Sequence, residues 1–339
     1  MGNSELTAAL GQRVDNLIAG EGAITFPAVP ALAGTYTDKC VAVFAALGRD
    51  FSDDERAALR EVLDRTLTEG HSFSQRSSVT VTYRSRPAEP LNYAVRSNLV
   101  TLEQAYHEWT SSREGPLFGS EPDARVAALA AEVPDPANAP VLDIGAGTGR
   151  NALALARRGH PVDAAELTED FAETIRVTAG RESLRVRVIN RDVFAADCYL
   201  RFDYAMILAS GVVSEFRSLG ELRDLFALSA AHLRGGGILV FNVFMTVPGY
   251  QPDDAARQFA QHSYSGFFTP AEIAGAAAGL ALEAVGDDSV HDYEKEHLPA
   301  GLWPPTGWYD NWVMGRDVFG YAAARSPIEL RWLVYRKTR

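Results

Sequence analysis

At 339 residues, 47% of them apolar, the chain is long enough to bury one large core or two smaller ones. Its formal net charge of −12 and the absence of any basic run argue against nucleic acid as a partner, because neutralising phosphates needs concentrated Lys and Arg. The sequence shows no membrane-length apolar run, no secretory leader and no metal-ligand spacing around its two cysteines, Cys40 and Cys198, so a cytoplasmic protein with two buried, reduced thiols and no metal is expected.

Residues 1–120 read as a mainly helical region. Val41, Phe44 and Leu47 share one side of a helical pattern over 36–47. Ser52-Asp53-Asp54-Glu55 forms a capping box, in which Ser52 caps the Glu55 amide while Glu55 reaches back. Leu59, Val62, Leu63 and Leu67 follow at helical spacing, and Gly70 is the expected stop. Residues 79–84 alternate and are β-branched, which predicts a strand, broken by Pro87 and Pro90. A helix over 99–109 places Leu102, Ala105, Tyr106 and Trp109 at helical spacing and runs into a turn-rich segment, 111–119. A small-residue helix from Asp123 then leads to the prolines at 134, 136 and 140, and the domain boundary is placed near residue 120.

From residue 141 strands and helices alternate. Val141-Leu142-Asp143-Ile144 reads as a buried strand, followed by Gly145, Gly147 and Gly149 and by a helix over 151–158 that stops at Gly159. A second strand, 161–165, ends in Glu166, and Thr168 opens a helix carrying Phe171, Ile175 and Ala179. A third strand, 184–189, leads into Asn190-Arg191-Asp192-Val193, and a fourth, 202–208, into Ala209-Ser210-Gly211. A helix over 219–233 and a fifth strand, 238–244, follow, then a helix opened by Thr269-Pro270. Strands at 280–285 and 329–335 close the chain around an insertion, 286–327, rich in aromatics and prolines. Alternation at this pace implies right-handed crossovers and a parallel sheet covered on both faces.

A glycine turn after a first strand lets backbone approach a ligand closely. A dinucleotide fingerprint spaces its glycines G-x-G-x-x-G, whose third position here is Arg150; the spacing found is G-x-G-x-G. Asp143, Gly145, Gly147 and Gly149, with Glu166 ending the second strand and Asp192 after the third, make the chain resemble the class I S-adenosylmethionine-dependent methyltransferases over about residues 123–285 and 328–337.

That resemblance implies a doubly wound, mostly parallel seven-stranded sheet closed by an antiparallel hairpin, and S-adenosyl-L-methionine as the cofactor. It implies that Glu166, with Leu167 beside it, holds the ribose hydroxyls, and that Asp192 and the Val193 amide face the adenine. Backbone near Leu208 and Ala209 would accept from the methionine amine, and Tyr106 and Arg113 would close over the cofactor. The chemistry agrees, since a carboxylate can accept from two ribose hydroxyls together.

The acceptor is less determined. His107, His291 and His297 are candidate bases, the last two with Glu294 and Glu296 nearby; for each histidine taken singly a surface or hydrogen-bonded structural role is the preferred reading. The insertion sets Trp303, Trp308, Tyr309 and Trp312 within ten residues, stiffened by Pro304 and Pro305. With Trp109 they would line a pocket for a flat or apolar small molecule, or else pin the insertion to the body. The expected function is methyl transfer to carbon, nitrogen or oxygen of a small, aromatic or apolar molecule, for instance in secondary metabolism. A protein or RNA methyltransferase and a cofactor-binding module without transfer activity are the alternatives. Residues 1–120 would act as lid, as substrate wall or as the contact of a homodimer.

Overall fold

The computed structural model describes residues 3–15, 17–112, 117–195, 199–320 and 326–338. The chain divides into two compact units, Met1–Trp109 with Asp253–His262, and Thr110–Pro252 with Ser263–Arg339.

The first unit runs α1 (Asn3–Asp15), β1 (Gly20–Pro27), α2 (Ala33–Ala46), α3 (Asp53–Phe73), β2 (Ser78–Ser85), β3 (Asn92–Asn98) and α4 (Leu102–Ser111), whose last two residues fall beyond the unit. The Ser52 capping box forms at the start of α3. Leu59, Leu63 and Leu67 are fully buried in one cluster with Cys40 and Phe44 of α2 and Val79 and Val81 of β2. Burial pushes the Cys40 thiol up to about 11, so it packs as a small apolar group; Cys198 lies outside the described residues.

Three expectations change here. Gly70 does not end α3: a Cβ there would sit 3.0 Å from that of Ala28, so glycine serves a close approach, and the helix runs on to Phe73. α4 starts at Leu102 because Thr101 and Gln104 bond reciprocally, the Gln104 amide donating to Thr101 Oγ1 and the Thr101 amide to Gln104 Oε1. The mainly helical region also carries a three-stranded antiparallel sheet, β1-β2-β3, that aligns Ile24, Val81 and Val95. Gly22 weakens the strand signal of β1, yet a Cβ there would fall 2.6 Å from the Tyr83 hydroxyl of the neighbouring strand.

The second unit begins with α5 (Ala124–Ala131), then β4 (Val141–Ile144), α6 (Arg150–Arg157), β5 (Val162–Ala165), α7 (Glu169–Arg181), β6 (Val186–Ile189), β7 (Tyr204–Ala209), α8 (Leu219–His232) and β8 (Leu233–Thr246). α9 (Asp254–His262) is the segment that belongs to the first unit. β9 (Phe267–Phe268), α10 (Pro270–Ala277), β10 (Leu282–Ser289), α11 (Val290–His297), α12 (Tyr309–Val313), α13 (Arg316–Phe319) and β11 (Ile328–Lys337) complete the second unit, so the insertion carries short helices joined by turns.

The strand order is β10-β11-β8-β7-β4-β5-β6, with β9 paired to β8. β4 to β8 are parallel, and β11 runs antiparallel to both β8 and β10. Leu142, Ile207, Leu239, Phe241 and Phe226 lie in its fully buried core, which explains why these strands read as unbroken apolar runs. The order reverses between β4 and β7, and the carboxyl ends of strands at such a reversal are where open α/β sheets bind ligands. No helix among the described residues is long and apolar enough to cross a membrane.

Candidate active site

At the carboxyl end of β4 the three glycines take left-handed backbone, with φ of 63° at Gly145, 56° at Gly147 and 89° at Gly149. A Cβ on Gly145 would fall 2.5 Å from Val212 Cγ2, and one on Gly149 2.9 Å from Ile175 Cγ1 and 3.1 Å from Leu153. We expect Gly149→Ala to destabilise the protein by about 2–4 kcal/mol, adding left-handed strain to overpacking of Ile175 and Leu153. A denaturant midpoint within error of the wild type would contradict that reading.

Two acids hold this turn. Glu166, buried just past β5, accepts from the Gly147 amide at 2.8 Å and from the Thr168 amide at 2.8 Å. Burial raises its carboxyl above the usual range, partly offset by those amides. Asn190 Nδ2 donates to the carbonyls of Glu166 and Leu167, tying the ends of β5 and β6 together. Asp143 lies within β4 and is 2% exposed. Its Oδ2 has no hydrogen-bond partner. Burial pushes this carboxyl up to about 8; Arg150 opposes the rise, while Asp123 and Glu166 add to it.

Other predicted positions distribute unevenly. Asp192 is exposed beyond β6 and its Oδ1 caps a short turn by accepting from the Phe194 amide at 3.0 Å, with Val193 buried in that turn. Leu208 is fully buried in β7, and Leu167 is 61% exposed. Tyr106, His107 and Trp109 lie on α4, where the Tyr106 and Trp109 rings stack 6.1 Å apart. Arg113 lies outside the described residues. His297 stacks on Tyr293 at 4.2 Å and its Nδ1 meets the Tyr293 carbonyl, so it is engaged within its own helix, α11. His291 contacts Asp292 and Asp310.

The aromatics of the insertion mostly pack on one another. Trp303 meets His291 and Tyr309 edge-on, Trp308 meets Trp312, and Trp312 packs on Phe244 while its Nε1 donates to the Tyr264 carbonyl at 2.8 Å. Their observed contacts pin the insertion to the sheet, and Tyr309 also lines a cleft.

That cleft adjoins a polar network absent from the sequence reading. Arg150, the residue after the last glycine, pairs with Asp123 through both terminal nitrogens, at 2.6 and 2.9 Å. Asn151 and Ser210 also donate to Asp123 Oδ2, at 2.8 and 2.7 Å, and Asn242 Oδ1 accepts from the Gly211 amide. Glu294 of α11 accepts from the Ala124 and Arg125 amides at the start of α5 and from Trp332 Nε1. Burial and the neighbouring Asp123 push its carboxyl up to about 7. Phe118 covers the glycine turn, 3.3 Å from where a Gly147 Cβ would stand, and packs edge-on against Phe171.

A family model described as "Methyltransferase domain" matches residues 141–237. Hemagglutinin 1 of Eikenella corrodens is 36% identical over 96 residues, which cover 28% of this chain and 31% of that protein; the match thus spans about a third of the curated relative's length. Among solved structures, geranyl diphosphate C-methyltransferase from Streptomyces coelicolor A3(2) aligns at 16% identity over 64% of this chain and 78% of its own, with a TM-score of 0.46. The [4+2]-cyclase SpnF aligns at 15% identity over 70% of this chain and 96% of its own, with a TM-score of 0.47.

Proposed function

We propose that this chain, whose residues 141–237 match a family model described as a methyltransferase domain, is a class I S-adenosylmethionine-dependent methyltransferase that methylates a small molecule. Bound there, the cofactor supplies an electrophilic methyl group on a sulfonium sulfur for in-line displacement by an acceptor lone pair. The chain's own residues bind, orient and exclude water. Orientation of this kind contributes on the order of 7–11 kcal/mol when well achieved.

One observation carries the reading: the buried Asp143 Oδ2, without a hydrogen-bond donor, beside a turn of three left-handed glycines. A buried carboxylate without a donor is costly, and an ammonium group, such as that of a methionine moiety, is the donor it lacks. Glu166 retains acceptor capacity for ribose hydroxyls after its two backbone bonds, because a carboxylate offers about four lone-pair sites. The acids around the turn favour a cationic cofactor over its neutral thioether product.

The acidic composition supports a small acceptor over RNA. The test is incubation with methyl-labelled cofactor, a pool of small molecules and a protein extract. Label is expected in the small-molecule fraction. Label confined to protein would overturn the choice of acceptor while leaving the transfer reaction standing.

A further inference from the structure

The cleft beside α6 is lined by Asp123, Arg150, Glu294 and Tyr309 together with the apolar Leu298, Leu302 and Pro305. Among the described residues its lining has one cation, and that cation is committed: Arg150, with its side chain 16% exposed, is paired to Asp123 through both terminal nitrogens. Glu294, 1% exposed, is a second buried acid, and the exposed Glu121 a third. A carboxylate or phosphate entering here would find no free positive charge among these lining groups, and an excess of negative charge.

Tyr309 supplies an independent observation. It is 6% exposed, lines the cleft, and its hydroxyl has no hydrogen-bond partner among the described residues. Burial, with Asp123 and Glu294 nearby, raises the phenol well above its usual range, so it keeps its proton at neutral pH. A hydroxyl on so buried a side chain at the wall of a cleft is placed to take the partner that a ligand would bring.

We propose that this cleft is the acceptor subsite of the methyltransferase reading, on which the proposal rests, and that it takes a small amine with an apolar body. The ammonium group stabilises the ionised form of Glu294, its N–H donors meet the Tyr309 oxygen and the remaining acceptor site of Glu294, and the aromatic ring favours a cation. Leu298, Leu302 and Pro305 take the apolar body.

Calorimetric titration of the full chain saturated with S-adenosylhomocysteine tests this, using three ligands of matched shape: 3-methylbutylamine, 3-methylbutanol and 3-methylbutanoate. The amine is expected to bind once per chain, about tenfold tighter than the alcohol, and the acid not to bind. Tyr309→Phe should weaken the amine about tenfold, and Leu302→Trp should block it, both leaving affinity for S-adenosylhomocysteine unchanged. Failure of the amine to bind, equal binding by the acid, or unaltered amine affinity in Leu302→Trp would overturn the proposal. Failure of S-adenosylhomocysteine itself to bind would instead overturn the methyltransferase reading.

Discussion

Asp123→Ala is expected to destabilise the second unit by about 3–5 kcal/mol, the range for removing one partner of a buried ion pair. Asp123 is 3% exposed and receives Arg150, Asn151 and Ser210, so its loss strands a buried guanidinium and two further donors. The pairing draws together the start of α5, the start of α6 and the carboxyl end of β7. The double variant Asp123→Ala, Arg150→Met should recover much of the loss, because an apolar side chain leaves no uncompensated charge. Guanidinium unfolding followed by tryptophan fluorescence reads both, since Trp332 is fully buried and bonded to Glu294. A cost below about 1 kcal/mol, the range of exposed pairs, would contradict this account of the network.

S-adenosylhomocysteine is expected to bind more tightly as pH rises from 6 to 8, by up to about tenfold per unit, and to level off above 8. Asp143 carries the effect. Its carboxyl in the ligand-free fold is pushed up to about 8 by burial, so below that pH it holds a proton that must leave before the group can pair with the ligand's ammonium. The sign for stability is opposite. A folded-state value above the ordinary 3.8 stabilises the ligand-free protein at low pH, and that contribution is lost as pH rises from about 4 through 8. Asp143→Asn should therefore flatten the pH dependence of binding and weaken affinity at pH 8 by about tenfold or more. Titration in buffers of different ionisation enthalpy should show proton release in the wild type alone. Equal affinity at pH 6 and 8 would remove Asp143 from the ligand's partners.

The parts legible in the sequence are those carried by local pattern. The apolar run before Gly145, the left-handed glycines, and Glu166 at the end of β5 are encoded within about 25 residues of one another, and strand–helix alternation constrains the crossovers. The two closing strands are legible for the same reason, whereas their antiparallel pairing follows from the family resemblance. What was not readable depends on contacts between distant segments. Arg150 looked only like a missing glycine, because its partner Asp123 lies 27 positions earlier and Ser210 lies 60 later. Glu294 looked like a neighbour of two histidines, yet it caps α5 from 170 positions away. The weak strand signal of β1 arose because Gly22 is placed to fit Tyr83 across the sheet, a constraint the strand itself does not display. The aromatic stretch at 303–312 revealed that rings cluster there, but not that Trp312 faces Phe244 while Tyr309 faces the cleft.

The turn at residues 145–149 is expected to serve a methyl donor rather than a dinucleotide. Parallel calorimetric titrations of the intact chain with S-adenosylhomocysteine and with NAD test it most directly. One S-adenosylhomocysteine bound per chain, with no heat from NAD, is the predicted result; saturable binding of NAD with none of S-adenosylhomocysteine would contradict it.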